Sequence, residues 1–144
     1  MATIDKEVII NAPLDKIFSY VSKPSNLPQI WPSLVEIKNE QLLPNGGYSA
    51  AWLYKMAGMY LEGTGEYTDI VPNKWFTVKT KGAVDSTITW TFRSKDSQTR
   101  VTLTIEYRVP LPLLGWLAEI VIVKMNEQEA DLILANLRTR LEES

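Results

Sequence analysis

The residues of this chain with chemistry to offer are one carboxylate on an apolar helix stripe and a set of tyrosines and tryptophans on one face of a sheet. At about 100° per residue, Leu113, Trp116, Ile120, Val123, Ala130, Leu134, Leu137 and Leu141 share one side of a C-terminal helix. Glu127 falls in the middle of that stripe. A carboxylate there is costly to bury unless it is paired, protonated or wet. Two readings follow. Either the helix leaves the sheet near its midpoint and Glu127 meets solvent at a cavity mouth, or Glu127 is a polar anchor inside a pocket, for a ligand hydroxyl or amine.

The aromatic set comes from strand alternation. Ile88, Trp90 and Phe92 share a face opposite Thr87, Thr89 and Thr91. Val101, Leu103, Ile105 and Tyr107 oppose Thr102, Thr104, Glu106 and Arg108. This is the pattern of a sheet with one buried and one wet face. Tyr48, Ala50, Trp52 and Tyr54 extend the inner face on an earlier strand, with Met59, Leu61 and Tyr67 on the next. The inner face thus collects Trp52, Tyr54, Tyr67, Trp90, Phe92 and Tyr107. Buried Tyr and Trp need partners for their polar tips. The rings either fill the core against the helix or line a partly wet cavity where a curved sheet stands away from it.

Composition removes whole classes of chemistry. The 144 residues contain no Cys and no His. That excludes disulfides, thiolate nucleophiles, sulfur metal sites and every Ser-His or Cys-His couple. Asp and Glu show no metal-ligand spacing, and no glycine-rich phosphate loop precedes a helix, so neither metal nor cofactor is expected. A net charge of −2 gives no electrostatic footprint for nucleic acid. Residues 1–6 do not open a signal peptide, and the apolar stretch 109–123 is broken by two prolines, a glycine and Glu119. A single domain over 1–144 in the cytoplasm, without integral membrane association, is the expectation.

The elements that position these groups run in an uncommon order. Residues 2–10 read as a strand ending at Asn11-Ala12-Pro13, with Asn11 or Ala12 as helix cap and Pro13 in the first helical position. Leu14, Ile17, Phe18 and Val21 then recur at helical spacing, and a second short helix or turn over 24–28 delivers Ile30 and Trp31 to the core. Strands follow over 34–43, 48–55, 60–71, 75–81, 86–93 and 100–109. Their short connections predict antiparallel neighbours. Gly63 and Gly65 mark a bend where the sheet curls. The stretch from about 113 to 142 is helical in pattern, and a helix of about 26 residues would run about 40 Å. The predicted fold is α+β: a curved antiparallel sheet of about seven strands wrapped around a long C-terminal helix, with two short helices after the first strand. The apolar lead-in 109–116 and the segment Met56-Ala57-Gly58-Met59 suit a pocket rim or packed loops closing the core.

Ile10-Asn11-Ala12-Pro13-Leu14-Asp15-Lys16-Ile17-Phe18, then Asn26-Leu27-Pro28 and Trp31-Pro32, resemble the opening of the START/Bet v 1-like (SRPBCC) superfamily, and more closely its polyketide cyclase/dehydrase and lipid-transport group. Gly63 to Pro72, 88–92, 99–103, Leu113-Leu114-Gly115-Trp116 and Leu134-Ala135-Asn136-Leu137-Arg138 resemble its later elements. The resemblance implies a helix-grip fold over essentially the whole chain. It carries no catalytic constellation, since branches with cyclase or hydrolase activity commonly use His, Arg or acid pairs. Alternation and strand ends place Arg93, Arg100 and Arg108 outside the pocket.

The expected ligand-binding residues are Trp52, Tyr54, Met59, Tyr67, Trp90, Phe92, Leu103 and Tyr107 from the sheet, with Trp116, Ile120, Val123 and Glu127 from the helix. The expected function is binding of an apolar or partly aromatic small molecule, of lipid, polyketide or isoprenoid kind, by a monomer or weak homodimer. One alternative is a cyclase or dehydratase in which Glu127 is acid or base and Tyr67 or Tyr107 polarises a carbonyl. Another is an accessory subunit whose apolar rim docks a partner.

Overall fold

The computed structural model describes residues 2–110 and 115–142. Strand β1 (Ala2–Ile10) is followed by α1 (Leu14–Val21) and a 3-10 helix (Pro24–Gln29). Then come β2 (Leu34–Leu42), β3 (Tyr48–Met56), β4 (Met59–Val71), β5 (Trp75–Gly82), β6 (Ser86–Lys95), β7 (Gln98–Tyr107) and the long helix α2 (Trp116–Glu142). The predicted elements are all present, with ends shifted by up to three residues. One cap differs. Pro13 is itself the N-cap, in extended conformation, and Leu14 is the first helical residue. Proline's fixed φ suits that cap position, and it leaves Asn11 and Ala12 outside the helix.

The strands form one antiparallel sheet in the order β1-β7-β6-β5-β4-β3-β2. Sequential hairpins build β2 to β7, and β1 joins at the far edge beside β7. The β3–β4 turn is two residues, with Ala57 and Gly58 both at positive φ, as a tight hairpin of matching twist requires. In β4 a bulge between Tyr67 and Asp69 bends the strand. On the edge strand β2 the register shifts twice, and Asn39 at the second shift has φ 55°.

Alternation assigned the inner face correctly. Trp90, Phe92, Val101, Leu103, Ile105 and Tyr107 are buried, while Thr91, Arg93, Glu106 and Arg108 are exposed. At one end of the sheet, Phe18 of α1 meets Phe76 and Phe92 edge-on, and Tyr67 stacks on Phe76 at 4.9 Å. The hydroxyl of buried Thr99 donates to the carbonyl of Ala12, which fastens the start of α1 to β7. The opening strand-to-helix run is therefore a packing device.

Helix α2 divides in two. Its C-terminal half is held by Ala130, Ile133, Leu134, Leu137 and Leu141, all buried, and by Asn136 donating to the Ile30 carbonyl. Its N-terminal half buries Ile122 and leaves Trp116, Leu117, Ile120, Val121 and Met125 exposed. The predicted stripe is thus right from Ala130 onward; before it Val123 packs partly against the core, whereas Trp116 and Ile120 are exposed. Trp116 is 72% exposed. In the first half the inward line is Ile122, Asn126, Glu129 and Ile133, turned from the expected line by about one residue, or 100°. Leu113 and the lead-in residues 111–114 lie outside the described residues.

Candidate functional site

Between the curved sheet and the middle of α2 lies a cavity of about 150 Å³, open on one side, with space for at least a ring-sized apolar group. Strands β3 to β7 supply most of its wall through inward positions of the alternation. Trp52 and Tyr54 come from β3, Tyr67 from β4, Phe76 and Val78 from β5, Ile88 and Trp90 from β6, and Ile105 and Tyr107 from β7. Trp31, after the 3-10 helix, and Leu34, at the start of β2, close it, and Asn126, Glu129 and Ile133 face it from α2. One helix would cover a narrow sheet completely. It does not cover this sheet of seven strands, and the space remains.

Gly63 lets the wall form. A Cβ at this position would collide with both the Trp52 ring and the Lys81 carbonyl oxygen. Only a glycine lets the indole lie across β4, so the glycine read as a bend in the sheet also makes room for a cavity side chain.

The charge in the cavity belongs to Glu129. Its Oε1 accepts hydrogen bonds from the Tyr54 hydroxyl at 2.6 Å and the Trp31 indole N–H at 3.0 Å, and its Oε2 accepts from the Ser33 hydroxyl. The Trp31 N–H is shared with the Tyr54 oxygen at 3.1 Å, and the two rings meet edge-to-face. Three donors from two directions hold a partly buried carboxylate in place and compensate its lost hydration. Burial, with the adjacent Glu129 charge, raises the Tyr54 pKa far above the ordinary phenol value, so Tyr54 is a donor at any physiological pH.

The other polar groups are neutral and mostly partnered. Asn126 donates to the Tyr107 hydroxyl at 2.9 Å, and Tyr67 donates to the Ser22 carbonyl at 2.6 Å. Burial raises the pKa of both phenols; at Tyr107 the Asn126 hydrogen bond opposes that rise and the charges of Glu127 and Glu119 add to it. Thr80 and Ser86 hydroxyls bond each other at 2.5 Å. One donor stands apart. The Trp52 indole nitrogen is buried without a hydrogen-bond partner among the described residues.

Of the expected site residues, Trp52, Tyr54, Tyr67, Trp90 and Tyr107 line this cavity. Phe92 and Leu103 share their face but are sealed in the core, Phe92 beneath Phe18 and Phe76. Met59 sits at the exposed β3–β4 hairpin. Trp116, Ile120, Val123 and Glu127 do not line the cavity, because the first half of α2 presents another face to it; Glu127 is exposed. Sequence reasoning misses Glu129, Asn126 and Ser33 as site residues, and treats Trp31 as a packing anchor only. A signal for the first two exists: Ile122, Asn126, Glu129 and Ile133 repeat at i, i+4, i+7, i+11. A search for apolar residues hides that line, since two of its members are polar.

Among the described residues no group of acidic side chains is placed to hold a metal ion, and no helix is long and apolar enough to cross a membrane.

An open antiparallel sheet closed by a long C-terminal helix, with a cavity between them, defines the class of the START-like fold. The chain belongs to the family described as polyketide cyclase / dehydrase and lipid transport, whose model matches residues 1–142. Among solved structures it is similar to a START superfamily protein from Mycobacterium smegmatis, with a TM-score of 0.81, 15% identity and 99% of each chain covered. The Zhui aromatase/cyclase from Streptomyces sp. R1128 also superposes with a TM-score of 0.81, at 15% identity over 97% of this chain and 93% of that one. The protein TTHA0849 from Thermus thermophilus follows with 0.74, at 20% identity over 96% of each. No curated protein matches the chain in sequence.

Proposed function

We propose that the chain binds an apolar, partly aromatic small molecule of lipid, polyketide or isoprenoid character between its sheet and α2. The observation that carries this reading is the cavity itself: aromatic and aliphatic walls interrupted by a few convergent polar groups, as small-molecule sites have. The family description, which names both cyclases and lipid transport, supports it. Native mass spectrometry of the purified protein, followed by tryptophan-fluorescence titration with candidate ligands, tests it. A co-purifying small molecule or a saturable change in fluorescence is expected. A consistently empty and unresponsive protein overturns the reading for the ligands used.

The catalytic alternative depends on Glu127 acting beside Tyr67 or Tyr107. Glu127 stands outside the cavity lining and the Tyr67 hydroxyl donates to Ser22, so this alternative has less support than binding. A docking role finds support of a different kind in the exposed apolar side chains of α2, Trp116, Leu117, Ile120, Val121 and Met125. Sedimentation velocity over a concentration series checks it. A species that stays monomeric and binds no partner removes it.

A further inference from the structure

The cavity wall carries one charge, and nothing in the wall balances it. Glu129 is the only Asp, Glu, Lys or Arg among the described residues of the lining. Its partners Tyr54, Trp31 and Ser33 are neutral donors, so they orient the carboxylate and leave its negative charge standing. They fill two lone-pair positions at Oε1 and one at Oε2, out of roughly four on a carboxylate, so Oε2 keeps one to offer. In a wall of low polarity that charge also attracts a cation across several ångströms, without contact.

A second acceptor stands beside it. Asn126 lies one turn before Glu129 on the inward line of α2, at a spacing that puts Cβ atoms about 5–6 Å apart. With Nδ2 donating to the Tyr107 hydroxyl, the Asn126 Oδ1 has no donor among the described residues. The flank of the carboxylate is aromatic. The Trp31 and Tyr54 rings, both in the lining, meet edge-to-face with centroids 6.4 Å apart. Ring faces attract cations, and those of tryptophan do so most strongly.

We propose, as a refinement that rests on the binding role above, that the cavity takes a compact apolar ring carrying a protonated amine. Its N–H groups suit the two acceptors of α2, Glu129 and Asn126, while the ring packs on the apolar wall around Trp90. Pairing the ammonium with the carboxylate offsets the cost of burying either charge alone. A carboxylate ligand adds a second negative charge and brings no donor to Asn126. A hydrocarbon leaves the Asn126 acceptor unmet and gains nothing from Glu129.

A cavity of about 150 Å³ has room for one benzene ring, so benzylammonium, ethylbenzene and benzoate make a matched set that differs in charge. NMR titration of the ¹⁵N-labelled protein at neutral pH gives their affinities, and Overhauser contacts of the benzylic hydrogens locate the amine end. Benzylammonium is expected to bind about tenfold more tightly than ethylbenzene, with benzoate weakest. Its CH₂ group should lie against Asn126 and Trp31. Glu129→Gln should bring benzylammonium down to the level of ethylbenzene, whose own affinity holds. Asn126→Leu leaves the Glu129 cluster in place and should weaken benzylammonium about fivefold with ethylbenzene unchanged; it decides the matter if Glu129→Gln does not fold. Ethylbenzene or benzoate binding as tightly as benzylammonium overturns the proposal and leaves the binding role standing. So does an amine whose contacts lie outside the cavity, or one that keeps its full advantage in either variant. Three probes that all fail to bind remove both readings for ligands of this size.

Discussion

Glu129 is the residue on which the middle of α2 depends. Its three donors, Trp31, Tyr54 and Ser33, come from two separate stretches of chain, so one carboxylate fastens the helix to both. Removing it leaves the Tyr54 and Ser33 hydroxyls without an acceptor and the Trp31 N–H with the Tyr54 oxygen alone. Glu129→Ala should therefore cost about 2–4 kcal/mol in urea denaturation, and Glu129→Gln, which keeps one oxygen, about half as much. Equal and negligible losses would show the cluster to be ornamental. Tyr54 and Tyr67 carry a pH signature. Burial raises both phenols above their ordinary value near 10, so the folded state keeps their protons longer than the unfolded chain does. Their contribution is complete below about pH 10 and declines as pH rises above it, because the unfolded chain then gains free energy by ionising. Denaturation midpoints measured from about pH 8 to 11.5 should fall above pH 10, and Tyr67→Phe should soften that fall.

At the scale of elements, α2 is two helices in one. Trp116→Ser should change stability by less than about 0.5 kcal/mol, whereas Leu137→Ala, wholly buried, should cost about 2–5 kcal/mol by thermal or chemical melting. A large loss at Trp116 would restore the stripe expected from the sequence. The strands are legible where one face is hidden and the other shown, as in β7, so that side-chain type follows position with a period of two. In the sequence, Thr87 to Phe92 displays the alternation of polar and apolar types over six residues. The helix is legible as a helix but not in its rotation. Apolar side chains on its exposed first half and polar ones on its inward line cancel the amphipathic signal, and Glu127 takes the place of Glu129. The residue that faces a cavity is polar because the cavity is there, and periodicity has no knowledge of the cavity. Gly63 adds a prediction on β4. Gly63→Ala should displace Trp52 and lower the melting temperature, since the clash involves the Lys81 backbone as well as the ring.

For the whole molecule, the sheet supplies both the core and the container. Trp90 belongs to both: it is 1% exposed and lines the cavity wall. Trp90→Ala should cost about 3–5 kcal/mol. A nearly unchanged melting point would mean that the inner face is not the stabilising one. Ligand occupation should compensate in the other direction, raising the melting temperature with the logarithm of ligand concentration. An open sheet also has an end. The last strand, β2, offers its outer row of amides and carbonyls to any passing chain, and a straight β2 would be a template for growth. Its two register shifts and the left-handed turn at Asn39 put that row out of step with the repeat a second strand needs. The same irregularities make that edge a poor template for growth, strand upon strand, into a fibre.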